Sequence, residues 1–109
     1  MDTKARHLTM DVWLSVPLTD AHIDGLKQCV QARLTVLEEV EHRFSPHGLT
    51  VVFILSESHF SIHTYPEHNY VSLDFYICNP AVNLDELSEL ILKQLPHQRV
   101  EKKEHRRGE

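Results

Sequence analysis

The chain has 109 residues, of which 41% are hydrophobic and 25% charged, and we expect one domain with a single core over residues 1–109. Its net charge of -5 argues against nucleic-acid partners and anionic membranes, because phosphate groups are bound by clustered Lys and Arg. Neither a signal peptide nor an apolar run of membrane-spanning length is recognisable, so a cytoplasmic protein is expected. Cys29 and Cys78 are too few for a disulfide framework and are expected to be free thiols, Cys29 at a helix core or its boundary.

The first third of the chain predicts one strand and one long helix. Residues 7–16 alternate between apolar and polar side chains, as in a half-buried strand. Apolar residues then recur at steps of three and four, which predicts a helix over residues 20–42 with Thr19 or Asp20 as its N-cap.

Three shorter strands are predicted in the middle of the chain, over residues 49–55, 60–64 and 70–78, with turns between them. Residues 49–55 are apolar on both faces except at Thr50, which is typical of a central strand. The last of the three strands alternates, so its polar residues share one face: Ser72, Asp74, Tyr76 and Cys78. A polar face that carries a thiol indicates a functional site.

A second helix and a possible edge strand complete the predicted fold. Asn83, with Glu86 three residues later, resembles a capping box that opens a helix, and Pro96 ends that helix. Residues 99–109 are expected to add at most one short edge strand. The order β-α-β-β-β-α-(β) favours an α+β fold, in which two helices pack on one face of an antiparallel sheet as a two-layer sandwich.

Two kinds of site are weighed first for the polar segment at residues 56–78. His59 and His63 have the spacing that binds zinc on a helix, but on a strand they lie about 13 Å apart, and no metal site is expected. Ser58, His63 and Asp74 could form a hydrolase triad. The glycines of a nucleophile elbow are absent around Ser58, however, which makes the triad a weak case.

The sequence Glu-Ser-His-Phe-Ser-Ile-His-Thr-Tyr-Pro-Glu at residues 57–67, followed by a strand that ends in Cys78, resembles the self-processing segment of the prokaryotic S-adenosylmethionine decarboxylases. The chain departs from that family at Tyr65, where Trp is usual, and at Asn79, where Gly is usual and where the turn after Cys78 can change. Further landmarks of the family are Arg6-His7-Leu8, His42-Arg43-Phe44, Pro46, Glu104-His105 and Arg107-Gly108.

The resemblance implies a proenzyme that cleaves itself between Glu57 and Ser58, giving fragments 1–57 and 58–109. Ser58 is then converted into a covalent pyruvoyl group, which is the cofactor. By the same resemblance His63 is the base that promotes the elimination, and the Thr50 hydroxyl steadies the oxyanion. This agrees with the chemistry of the residues, because the shift of an acyl group from nitrogen to oxygen needs a hydroxyl on a constrained turn and a group with a pKa near neutrality.

The reaction that the resemblance implies is decarboxylation of S-adenosylmethionine, for polyamine synthesis, with the pyruvoyl carbonyl as the electron sink. Cys78 would return a proton to the substrate, Glu67 would bind the ribose hydroxyls, and Phe44 would stack on the adenine. The family also implies a homodimer with a shared active site. Pairing with a second copy would cover the polar sheet face and give an α/β/β/α assembly.

Other functions stay open at this point. A pyruvoyl-dependent decarboxylase of arginine or ornithine could use the same fold, although Glu67 and Phe44 favour the nucleoside substrate. A non-catalytic regulatory homologue is disfavoured because Ser58, His63 and Cys78 are all present. Simpler roles also remain: Cys78 as a small buried residue, Phe44 as part of the core, and Glu67 as a solvated turn residue.

Overall fold

The structure is a computed structural model and describes residues 4–56 and 58–108. Its elements are β1 (Ala5–Leu14), α1 (Asp20–Arg33), β2 (Val36–Arg43), β3 (Leu49–Leu55), β4 (Ser58–Tyr65), a 3₁₀ turn (Pro66–His68), β5 (Tyr70–Ile77), α2 (Leu84–Lys93) and β6 (His97–Arg107). The strands form one antiparallel sheet in the order β2-β3-β4-β5-β1-β6. The predicted α+β class is confirmed. No helix in the described residues is long and apolar enough to cross a membrane.

The core lies between one face of this sheet and the two helices. Phe53, Phe60 and Phe75 are fully buried on three neighbouring strands, and their rings stack with centroids 5.8 and 4.3 Å apart. Both helices bury apolar residues in the same cluster: Ile23, Leu26 and Val30 from α1, and Leu84, Leu87, Ile91 and Leu92 from α2. The two helices therefore share one face of the sheet, as predicted, and leave the other face open.

The predicted helix over residues 20–42 is wrong in its second half. Helix α1 ends at Arg33, and strand β2 takes the sheet edge beside β3. Leu37 and Val40 continue the helical spacing, but they are 66% and 52% exposed. Their helical spacing therefore does not mark a buried helix face. The β-branched residues Thr35 and Val36 favour the extended backbone that the chain adopts there.

The C-terminal segment forms a much longer strand than predicted. Strand β6 runs for 11 residues and pairs with β1 along almost its whole length. Its side chains are charged or polar except Val100, so the sequence gives it little hydrophobic signal. Backbone hydrogen bonds to β1, a contact far apart in sequence, hold this edge in place.

The predicted N-cap residues of both helices and the predicted free thiols are confirmed. Thr19 is the N-cap of α1, and its side chain accepts a hydrogen bond from the His22 N–H. Asn83 caps α2 by accepting from the Glu86 N–H at 3.0 Å. Cys29 and Cys78 are both free, and Cys29 lies half-buried against the core, where burial raises the pKa of its thiol.

The stacked phenylalanines give the first testable prediction. Phe60→Ala should lower the free energy of unfolding by about 3–5 kcal/mol, because it removes the middle ring of the stack from a closely packed core. Urea denaturation followed by circular dichroism measures the change. Leu37→Ala is the control, since Leu37 is exposed and its loss should cost about 0.5 kcal/mol or less. Equal losses in the two variants would contradict this placement of the core.

Candidate active site

The predicted site residues fall into two groups at opposite ends of β4, and His63 and its neighbour Thr50 lie on the open face of the sheet. We call the end where β4 begins and β5 ends the cysteine end, after Cys78. The end where β4 finishes is the histidine end, after His63. Side chains of successive residues alternate between the two faces, so only every second residue of each strand reaches the open one.

At the histidine end, Thr50 and His63 are direct neighbours on β3 and β4. The Thr50 Oγ1 and the His63 Nδ1 are 2.9 Å apart, and both side chains are half-buried. A hydroxyl can donate to this nitrogen or accept from it, according to the imidazole tautomer. The contact fixes the ring of His63 and leaves its Nε2 for another partner.

Phe44 and Glu67 lie on two turns that meet beside this pair. The ring of Phe44 is 51% exposed and packs edge-on against His42, so its role as a core residue is excluded. The Nε2 of His47 lies 2.6 Å from the Glu67 Oε2, an ion pair when the imidazole is protonated. Gly48 closes the turn after Phe44 with a φ of +109°, a backbone conformation that residues with a Cβ rarely adopt.

Three aromatic side chains follow in a row across the histidine end. Tyr65 stacks on Tyr70 with ring centroids 5.4 Å apart, and Tyr70 lies at the same distance from Trp13. The Tyr70 hydroxyl donates to the Asp11 carboxylate, and burial, together with this hydrogen bond, raises the pKa of Tyr70 to about 12. Tyr65 thus retains the aromatic surface that Trp would provide and is itself 42% exposed.

Ser58 and Cys78 lie at the cysteine end. Ser58 opens β4 opposite Leu55, and its hydroxyl donates to the Ser56 carbonyl oxygen at 3.4 Å. Because His59 pairs with Tyr76 in the antiparallel register, Ser58 lies beside the residue that precedes Cys78. The predicted cleavage partner Glu57 lies outside the described residues.

Cys78 lines an open cleft of about 1020 Å³. Its thiol is half-buried, and the polar side chains around it come mainly from β1 and β6, including Arg6, Glu104 and Arg107. The turn after Cys78 is closed by Asn79, whose side chain accepts from the Ala81 N–H at 2.9 Å. Asn79 does this without a positive φ, so this chain builds its turn by a side-chain hydrogen bond.

One chain does not bring the two groups together. Ser58 and His63 are five residues apart on one strand, which is about 16 Å, and an odd separation places them on opposite faces. The hydrolase triad is therefore wrong, and Asp74 instead accepts a hydrogen bond from the His7 Nε2 at 2.9 Å. Of the predicted residues, the fold joins Thr50 to His63 and places Ser58 near Cys78.

The charged residues beside Cys78 were missed as site residues. Arg6 makes ion pairs with Glu104 at 2.6 Å and with Asp85 at 3.0 Å. The hydrogen bonds to Glu104 and Asp85 raise the pKa of Arg6, and the bond from Arg6 lowers the pKa of Glu104. Arg6 and Glu104 could have been found from the sequence, because they belong to the family landmarks Arg6-His7-Leu8 and Glu104-His105. Only the β1–β6 register shows that these two landmarks are neighbours.

Comparison with known proteins agrees with this arrangement. A family model described as S-adenosylmethionine decarboxylase matches residues 20–108. The chain belongs to the S-adenosylmethionine decarboxylase family. It is 34% identical over 100 residues to the S-adenosylmethionine decarboxylase proenzyme of Shouchella clausii, covering 87% of this chain and 78% of the relative. The corresponding proenzyme of a Sulfurihydrogenibium species is 38% identical over 92 residues, which is 80% of this chain and 69% of the relative.

A solved structure of the same family has the same fold. The crystal structure of the adenosylmethionine decarboxylase from Aquifex aeolicus superposes with a TM-score of 0.82 at 30% identity, covering 99% of this chain and 93% of the other. The resemblance inferred from the residues around Ser58 is therefore confirmed at the level of the family and the fold.

The ion pair beside the cleft yields a prediction about pH. Glu104→Gln should lower the free energy of unfolding at pH 7 by about 0.2–1 kcal/mol, the range for exposed ion pairs. Because folding lowers the pKa of Glu104 below its ordinary 4.5, its contribution is present above pH 4.5 and is lost as the pH falls through the lowered value. Urea denaturation at pH 7 and pH 3 measures this.

Glu101→Gln provides the matched control for that experiment. Glu101 lies on the same strand, and no Lys, Arg or His nitrogen of the described residues makes an ion pair with it. Its substitution should leave the free energy of unfolding nearly unchanged at both values of pH. A Glu104→Gln deficit that is as large at pH 3 as at pH 7 would contradict the electrostatic origin.

Proposed function

We propose that the chain is a self-processing S-adenosylmethionine decarboxylase, which releases carbon dioxide from S-adenosylmethionine and yields the aminopropyl donor for spermidine synthesis. The observation that carries the proposal is the Thr50–His63 contact on the open sheet face, in a chain that belongs to this family. It pairs a hydroxyl with an imidazole, the side chain that most often acts as a general base.

Self-cleavage at Glu57-Ser58 is the first step of the proposal. The Ser58 Oγ attacks the carbonyl carbon of Glu57 and becomes an ester oxygen, while the peptide nitrogen takes a proton and becomes the new amine. His63 then removes the α-proton of residue 58, and elimination releases the new C-terminus of residues 1–57 and leaves residue 58 as dehydroalanine. Dehydroalanine tautomerises to an imine, and water hydrolyses that imine, so that ammonia leaves and the pyruvoyl group remains. Thr50 donates to the oxyanion that forms during the attack.

Ser58 fits the role of precursor because it opens β4 directly after a turn and its hydroxyl is not enclosed by the core. The pyruvoyl group supplies a carbonyl that accepts the electrons released with carbon dioxide. Among the chain's own residues, the Cys78 thiol donates the proton that replaces the carboxylate. Glu67 accepts hydrogen bonds from the ribose hydroxyls, and the exposed ring of Phe44 stacks on the adenine.

The two ends of the open face meet only if a second copy contributes one of them. The proposed enzyme is therefore a homodimer in which the histidine end of each chain faces the cysteine end of its partner. Exposed apolar residues on the β2–β3 side of the open face support this assembly, since Val40 and Ile54 are 52% and 40% exposed there. Two sheets packed in this way would form the α/β/β/α layers and exclude water from both sites.

Mass spectrometry of the purified protein tests the cleavage. We expect fragments 1–57 and 58–109, the second beginning with a group that lacks an amine, and carbon dioxide release from S-adenosylmethionine but not from arginine or ornithine. Ser58→Ala should remain intact and inactive, because no hydroxyl can attack. Cys29→Ala, a change distant from the open face, should process and react as the wild type does. An intact wild-type chain with unmodified Ser58 after prolonged incubation would overturn the proposal.

Co-expression of two differently tagged inactive chains tests the shared site. Ser58→Ala keeps its His63, and His63→Ala keeps its Ser58, so each mixed dimer has one complete processing site. We expect neither variant to cleave alone, while in the mixture only the His63→Ala chain is cut. Intact mass measurement of each tagged chain identifies which one was cut. Failure of both chains to cleave in a purified mixed dimer would show that His63 acts within its own chain.

A further inference from the structure

Arg107, near the end of β6, is held over the open face at the cysteine end. Its Nη1 lies 3.5 Å from the His7 Nδ1, and its guanidinium carbon lies 5.9 Å from the centroid of the Tyr76 ring. Arg107 and Cys78 line the same cleft, and the register pairs Arg107 with Ala5 on the neighbouring strand. The guanidinium is therefore held by His7 and Tyr76 at the cleft that Cys78 also lines.

The surrounding contacts leave the positive charge of Arg107 available. Arg6, in the same cleft, is already neutralised by Glu104 and Asp85. Arginine can only donate, so the His7 Nδ1 accepts from Arg107 and its Nε2–H donates to Asp74. Within the described residues, no carboxylate oxygen lies within ion-pair distance of Arg107.

The substrate brings one carboxylate to this cleft. In the proposed reaction that carboxylate is attached to the carbon that Cys78 protonates, so it has to lie near the thiol. A guanidinium binds a planar carboxylate with two parallel hydrogen bonds, more specifically than an ammonium group does. We propose that Arg107 binds the α-carboxylate of S-adenosylmethionine and so distinguishes the substrate from its decarboxylated product; this rests on the proposed function.

A contact between Arg107 and the substrate carboxylate would affect KM and kcat differently. The negative charge leaves the carboxylate as carbon dioxide forms, so contacts to it are weaker in the transition state than in the bound substrate. Arg107 therefore acts in substrate binding and lowers KM, and its loss should not lower kcat. The product has no carboxylate to hold, which favours its release from the same cleft.

The experiment compares Arg107→Gln with Arg106→Gln in the processed protein. For Arg107→Gln we expect KM for S-adenosylmethionine to rise about tenfold, kcat to stay the same or rise by up to the same factor, and the inhibition constant of decarboxylated S-adenosylmethionine to stay unchanged. Arg106 adjoins the same cleft but alternates to the opposite face, so its variant should behave as the wild type does. Arg107→Lys keeps the charge and should recover part of the lost affinity.

Mass spectrometry first establishes that each variant has cleaved, because Arg107 also packs on His7. If Arg107→Gln does not process, Arg107→Lys and the product's inhibition constant decide the question instead. An equal rise in KM and in the product's inhibition constant, or a fall in kcat at constant KM, would overturn the assignment of Arg107. A wild-type protein that cleaves but releases no carbon dioxide from S-adenosylmethionine would overturn the proposed function itself, and the role of Arg107 with it.

Discussion

Alternation of side chains across one six-stranded antiparallel sheet separates the chemistry of this chain from its core. On β4, Phe60 and Ile62 enter the core, while His63 points to the open face, and a shift of one residue would exchange them. The stacked rings of Phe53, Phe60 and Phe75 fix the register of three strands at once. The contact between Thr50 and His63 follows from that register, because these residues are direct neighbours in it.

Local patterns in the sequence were enough for the fold class, both helix N-caps and most of the strands. Alternation in the fifth strand correctly placed Ser72, Asp74 and Tyr76 on one face, and Cys78 directly follows the end of that strand at Ile77. The failures occurred at the two sheet edges, where β2 was assigned to a helix and β6 was expected to be short. Most side chains of these two edge strands are exposed, so burial imposes no alternation of apolar and polar residues on their sequences. The strand that pairs with β6 is also distant in the sequence, which local patterns do not reveal.

The sequence was enough to propose the individual site residues, but not to predict how far apart they lie on the sheet. The motif named Ser58, His63 and Cys78, yet it carried no information on their separation along the sheet. That separation arises because Ser58 and His63 lie five residues apart on the extended strand β4, so the predicted residues form two half-sites. Arg107 illustrates the same limit, since its position near Cys78 depends on β1 lying between β5 and β6.

The order of strands also explains how the fold could survive the proposed cleavage. Residues 1–57 contain β1, β2 and β3, and residues 58–109 contain β4, β5 and β6, so the cut would remove only the connection between β3 and β4. The β3–β4, β1–β5 and β1–β6 pairings all join one fragment to the other, and the ring of Phe53 stacks on that of Phe60 across the cut. Because β1 lies between two strands of the other fragment, the halves are interleaved, and their separation would require disrupting the sheet and the core. A chain built in this way can lose a peptide bond at the cysteine end and still hold Ser58, on β4, beside the end of β5 that Cys78 follows.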